Sequence, residues 1–172
     1  MALYMIFNGP FAATAFAGVT TGTALKTLLQ VKLGALNNRR AKVVEWGCSF
    51  KGFAAAEPGR VELLCTSTVA ATVTAHAVAN ITNLQDPNPA VAITDDNPFD
   101  LSTTATGYTA SAEGTVTAAR YLAPPQFIAP TTQYQFQLPL AQEGEFSAAE
   151  YLRIRAHFPA AVDCMCYVKI EA

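Results

Sequence analysis

In nearly every segment of this chain that shows a periodicity, the period is two. From Thr131 to Leu138 the residues Thr132, Tyr134, Phe136 and Leu138 alternate with Thr131, Gln133, Gln135 and Gln137. That separates an apolar face from a polar one, as a half-buried antiparallel strand requires. Tyr151 to Phe158 repeats the pattern, sending Leu152, Ile154, Ala156 and Phe158 inward and Tyr151, Arg153, Arg155 and His157 outward. Val162 to Ile170 groups Val162, Cys164, Cys166, Val168 and Ile170 against Asp163, Tyr167 and Lys169. The stretch Asn37 to Gly52, NNRRAKVVEWGCSFKG, reads as a turn at Asn37-Asn38 feeding a strand from Arg40 to Phe50, with Lys42, Val44, Trp46, Cys48 and Phe50 as alternate residues.

Turn residues divide the rest into further short strands. Leu3 to Phe7 is one, and Leu25 to Lys32 another, although LKTLLQ also suits a helical turn. Glu57-Pro58-Gly59 joins the Arg40 strand to Arg60–Thr68, which predicts a hairpin. A second hairpin is expected where Gly107–Ser111 and Thr115–Leu122 flank Glu113-Gly114, ended by Pro124-Pro125. A turn is expected around Gln142 to Gly144. Two stretches resist assignment to a regular element: an Ala/Gly/Thr arm within residues 8–23, and residues 80–100, where Pro87, Pro89 and Pro98 imply a long irregular loop. Eight or nine short strands in 172 residues predict one all-β domain, an antiparallel two-sheet sandwich of jelly-roll type. An immunoglobulin-like sandwich is the rival, weakened because no cysteine pair is convincingly spaced about Trp46.

Composition bears on partners. Only 14% of residues are charged, against about 25% in an average globular protein, so much of the surface is expected to be covered by neighbouring subunits. A net charge of -2 offers no field to attract nucleic acid or an anionic membrane. The apolar N-terminus lacks the basic n-region of a signal peptide and is interrupted at Asn8, Gly9 and Pro10. No run approaches the ~20 apolar residues of a membrane span, so the chain reads as soluble.

Chemistry finds little purchase. No G-x-S-x-G elbow or phosphate-cradling glycine loop is present, and His76 and His157 stand alone in their segments. Cys48, Cys65, Cys164 and Cys166 read as buried free thiols, although Cys164 and Cys166 share a strand face from which either could pair with Cys48 or Cys65 across a sheet. Cys164-Met165-Cys166 offers two sulfurs where a structural zinc site needs four ligands at wider spacing. Asp95, Asp96, Asn97 and Asp100 lack the calcium-loop pattern and read as a solvated turn. Arg39, Arg40 and Lys42, like Arg153 and Arg155, read as solvated or inter-subunit ion-pairing residues. The expectation is therefore no catalytic, cofactor-binding or metal-binding residue, no cofactor and no enzyme.

Ala2-Leu3-Tyr4, Thr23 to Gln30 (TALKTLLQ) and Asn38 to Gly47 (NRRAKVVEWG) resemble segments of small all-β proteins encoded among the virion genes of tailed bacteriophages. The resemblance covers about the first third of the chain; beyond it only the strand rhythm and an ending like Tyr167-Val168 agree. It implies a structural role, most plausibly a decoration or cement protein on the outside of an assembled capsid, put together in the host cytoplasm. The partners implied are the major capsid protein and copies of itself, as a homotrimer, with no nucleic acid and no membrane. The arm at Phe11–Thr23 and the loop at Asn80–Asp100 are the contact elements expected. The alternative is a carbohydrate- or receptor-binding module of a tail or fibre, for which Tyr108, Tyr121, Tyr134 and Tyr151 are the available aromatics.

Overall fold

The computed structural model describes residues 2–9, 18–35, 40–52, 57–85 and 97–172. It is all-β, with two antiparallel sheets packed face to face. The strands are β1 Leu3–Phe7, β2 Val19–Thr20, β3 Lys26–Val31, β4 Arg40–Lys51, β5 Gly59–Thr66, β6 Thr72–Ala75 and β7 Ile81–Asn83. They continue with β8 Gly107–Ala112, β9 Ala119–Tyr121, β10 Gln126–Ile128, β11 Gln133–Gln137, β12 Gly144–Ser147, β13 Tyr151–His157 and β14 Asp163–Glu171. One sheet runs β11-β4-β14-β1-β7, with β12 also on β4 and β2 on β14; the other runs β10-β5-β13-β3-β8-β6, with β9 also on β5.

The order of crossing makes this a jelly roll. The chain passes from β1 to β3, from β4 to β5, from β10 to β11 and from β13 to β14, changing sheet each time. The two four-stranded cores, β1-β14-β4-β11 and β3-β13-β5-β10, are those of a double Greek key. The long segment between β5 and β9 supplies the additions, a β6–β8 pair at one edge and β7 on β1.

Fourteen strands among the described residues exceed the eight or nine expected because several are too short for periodicity to reveal: β2 has two residues, and β7, β9 and β10 have three. Three local expectations change. Arg60–Thr68 forms no hairpin with the strand before it, since β4 and β5 lie in opposite sheets and Gly59 already begins β5. A Cβ at Gly59 would run into the Phe158 ring, so the first position of β5 requires glycine. The hairpin about Glu113-Gly114 is also absent: β8 pairs with β3 and β6, while β9 pairs with β5. Finally, the turn expected around Gln142 to Gly144 lies slightly earlier, closed by the Gln142 N–H on the Pro139 carbonyl at 2.9 Å, and Gly144 already begins β12.

Part of the expected 80–100 loop is regular, because β7 continues the sheet beyond β1 and Phe99 bridges to Leu33. The expected 8–23 arm likewise contains a strand, β2, which pairs with β14; residues 10–17 of that arm, residues 86–96 and the Asn37-Asn38 turn lie outside the described residues.

Between the sheets lies one main core, which includes Trp46, Phe146, Phe158, Leu152, Ile154, Val168 and Ile170. The inward faces of β13 and β14 are the ones their alternation predicts. In β4 the alternation breaks. Lys169 pairs with Glu45 but Ile170 with Val43, so Val44 is the extra residue of a β-bulge. Ala41 and Val43 are buried before it, and Trp46, Cys48 and Phe50 after it, leaving Lys42 and Val44 half-exposed rather than in line with Trp46.

Candidate functional site

Four places on this scaffold gather chemistry-bearing groups. The first is a set of three thiols. Cys166 stands directly opposite Cys48 on β4, and Cys164, two residues earlier on β14, shares its inward face. Antiparallel register therefore brings all three together, their Sγ atoms within 4.8 Å of one another and all buried. The Cys164 thiol and then the Cys166 thiol donate toward Cys48 and pull its pKa down to about 5, whereas burial pushes Cys164 and Cys166 up. Asn8 fixes the β14 side of the cluster. Its Nδ2 donates to the Cys164 carbonyl at 3.0 Å, its Oδ1 accepts from the Cys166 N–H at 2.9 Å, and its own N–H donates to the Cys166 carbonyl. All four cysteines are free, as expected; Cys65 lies on β5, outside the group. The sequence showed the Cys164 and Cys166 pair, but the third member was visible only through the pairing register.

A second network lies on the outer face of the other sheet. Arg153 and Arg155 point away from the core yet are buried, which overturns their reading as solvated or inter-subunit residues. Glu62 ion-pairs with both Arg155 and Arg60, whose guanidinium donates to the Tyr121 hydroxyl at 3.0 Å. Arg153 ion-pairs with Glu113 and hydrogen-bonds Thr27 Oγ1 at 2.8 Å. The segment after β8 reaches over this sheet, and with it comes Glu113. Burial lowers the Arg153 pKa, partly opposed by the Glu113 charge. Arg40, the other expected ion-pairing residue, meets Glu145 of its own chain at 3.6 Å; Arg39 is outside the described residues.

The outer face of the β4–β14 sheet carries the third feature, a pair of shallow clefts of about 240 and 340 Å³ that share Ser49 and Met165. Gln133, Gln135, Phe7 and Tyr167 line the smaller, and Lys51 and Asp163 the larger. Glu45 anchors the nearby polar cluster, accepting from the Tyr167 hydroxyl and from Gln135 and pairing with Lys169 at 3.0 Å. Burial works against the Glu45 charge, but Tyr167, Lys169 and Gln135 outweigh it and hold the carboxyl below its usual range. These clefts offer hydrogen-bonding groups and a cation but no assembled nucleophile and base.

The fourth feature is an edge. Exposed large apolar side chains gather on β9 to β12, where Tyr121, Phe127, Phe136 and Leu140 make up four of the seven such residues described. Phe127 is 80% exposed and Leu140 92%. No charged residue occurs between Tyr121 and Gln142, so the strands β10 and β11, outermost in their sheets, have none of the lysines with which soluble proteins blunt a sheet edge. That charge-free run was legible in the sequence, but its meaning depended on both strands being at one side of the sandwich.

The remaining candidates do not converge. Tyr121 bonds Arg60, Tyr134 packs on Trp46 at 5.2 Å, Tyr108 on His76 at 5.1 Å, and Lys32 lies over Tyr151 at 4.2 Å. His157 is exposed at the end of β13 and His76 is buried beyond β6. Asp95 and Asp96 are outside the described residues; Asn97 and Asp100 close turns by accepting from the N–H groups of Phe99 and Ser102.

His76 yields a pH prediction. Burial holds its pKa at about 4, well below the ordinary value of 6.5, so the folded protein keeps it neutral. Between those two values the unfolded chain binds a proton that the native state refuses, and stability falls as pH drops. The expected loss is on the order of 3 kcal/mol between pH 7 and pH 4. Urea unfolding across that range should show a shallower pH dependence for His76→Gln; equal slopes would refute the assignment.

No protein-family model matches the chain, and no curated protein is significantly similar to it.

Proposed function

We propose that this chain is a structural subunit of a tailed-bacteriophage virion, a decoration or cement protein that associates with copies of itself as a trimer and with the major capsid protein on the capsid exterior. It has no enzymatic role in this reading. The observation that carries the proposal is the apolar edge formed by β10 and β11, within a run from Tyr121 to Gln142 that holds no charged residue. An isolated soluble protein with such an edge invites strand-to-strand aggregation, whereas a subunit covers it in its assembly. The fold agrees, jelly rolls being frequent in viral capsid proteins, although the same fold also serves lectins and cupins. The resemblance at Ala2–Tyr4, Thr23–Gln30 and Asn38–Gly47 adds the phage context.

The test is a double substitution, Phe127→Glu with Leu140→Glu. Burying two charges in an interface should weaken self-association and capsid binding by roughly 30-fold or more, read by light scattering and by co-sedimentation with purified capsids. Unchanged association of the variant would remove the edge from the interface. Capsids that retain no mass of the wild-type protein would sink the decoration reading itself. The alternative, a glycan- or receptor-binding module, draws on the clefts beside Gln133, Gln135 and Tyr167, and binding on a glycan array would favour it.

A further inference from the structure

We propose that Cys48, Cys164 and Cys166 form a three-thiolate site for a soft d10 metal ion, with Cu(I) the ion that fits best. The donor set is purely sulfur. With metal–sulfur bonds of about 2.3 Å, three sulfurs around one ion stand about 4 Å apart, and these lie within 4.8 Å of one another before any ion draws them in. Thiolate ligands select soft ions such as Cu(I) and zinc over hard ones.

The choice between those two turns on coordination number. Structural zinc takes four protein ligands, and the described residues offer three here. Met165, between the two β14 cysteines, faces the other side of the sheet and is partly exposed, so its thioether is not a fourth. Trp46, Phe50 and Val168, the inward neighbours on β4 and β14, are buried and apolar, so none of them supplies a fourth ligand. Three sulfurs in a dry core match an ion content with three ligands.

Support behind the ligands is also in place. Asn8, itself only 4% exposed, hydrogen-bonds the backbones of both Cys164 and Cys166 and so sets the spacing of two of the three sulfurs. It is a positioning residue, not a ligand. Each sulfur that coordinates as thiolate gives up its proton to solvent on binding. Since the cluster lies inside the sandwich, loading is coupled to folding, and the ion is captured as β14 enters between β1 and β4.

The experiment refolds the full chain, reduced and without oxygen, with Cu(I) supplied as its acetonitrile complex against a chromophoric copper chelator. One Cu(I) per chain is expected by native mass spectrometry, with three sulfurs and no nitrogen or oxygen in the X-ray absorption spectrum. Cys48→Ser and Cys166→Ser should each weaken retention on the order of 100-fold, while Cys65→Ser should retain copper like the wild type. Should the cluster variants fail to fold, the Cys65→Ser protein decides the matter, because its remaining thiols are the three in question. A raised thermal midpoint on copper loading supports the site. Folded protein that retains no copper, or copper bound equally well by folded Cys48→Ser, overturns it; zinc held in preference to copper overturns the choice of a three-coordinate ion.

Discussion

Glu62→Gln is expected to lower the unfolding free energy by about 3–5 kcal/mol. The substitution keeps shape and volume and removes only charge, so the loss reports on electrostatics rather than packing. Glu62 is 1% exposed and sits between Arg155, also buried, and the half-exposed Arg60. Attraction inside a pair of this kind roughly offsets the cost of drying both charges, which is why the intact pair contributes little net stability. Removing one partner is different: the Arg155 guanidinium then remains in a poorly hydrated place without its counter-charge. Paired replacement, Glu62→Leu with Arg155→Met, should recover most of the loss. Urea unfolding of the three proteins checks both statements, and a single variant within 1 kcal/mol of wild type would show that water already screens the cluster.

Trp46→Ala is expected to cost about 3–5 kcal/mol, the range for emptying an aromatic site in a packed core. Trp46 is fully buried, opposite Val168 on one neighbouring strand and Phe136 on the other, with the Tyr134 ring at 5.2 Å. β4 itself is held on both sides, by β14 and by β11, and has little freedom to collapse into the gap. Trp46→Phe should cost distinctly less. The indole N–H is buried without a hydrogen-bond partner among the described residues, so phenylalanine discards an unsatisfied donor while filling part of the space. Thermal unfolding followed by circular dichroism suits these variants, since the sole tryptophan is lost as a fluorophore. Equal losses for both would mean that indole shape, rather than apolar volume, fills the site.

The sequence was most readable where one face of a strand meets the core and the other meets solvent. Strand β14, and the inward half of β13, obey their alternation because nothing else competes for those positions. Reading failed where an outward face is covered by another segment. Arg153 and Arg155 looked solvated because polarity marks the outer face, and period alone cannot say whether Glu113 and Glu62 wait above it. It failed again at Val44, because a bulge inserts one residue without a compositional mark. Sheet membership was equally hidden. A Pro-Gly step between two strands looks like a hairpin whether the second strand pairs with the first or crosses to the facing sheet, and the partners that place β5 in the facing sheet, β13, β9 and β10, are all distant in sequence. The thiol cluster lies between these cases, with two members visible on one strand and the third delivered by register.

The position of β14 has a consequence for how the molecule comes into being. The last strand among the described residues, β14, lies between β1 and β4, so it alone joins the two halves of its sheet. Until it arrives, β1 and β4 each present an open backbone edge, and loop closure spanning most of the chain must precede the reward of pairing. Until residues 163–171 have been made, a nascent chain therefore holds this sheet as two unfinished halves, exposed to pairing with other chains. The time that β14 takes to close the gap is therefore time in which those edges can pair elsewhere, whatever the stability of the finished sandwich.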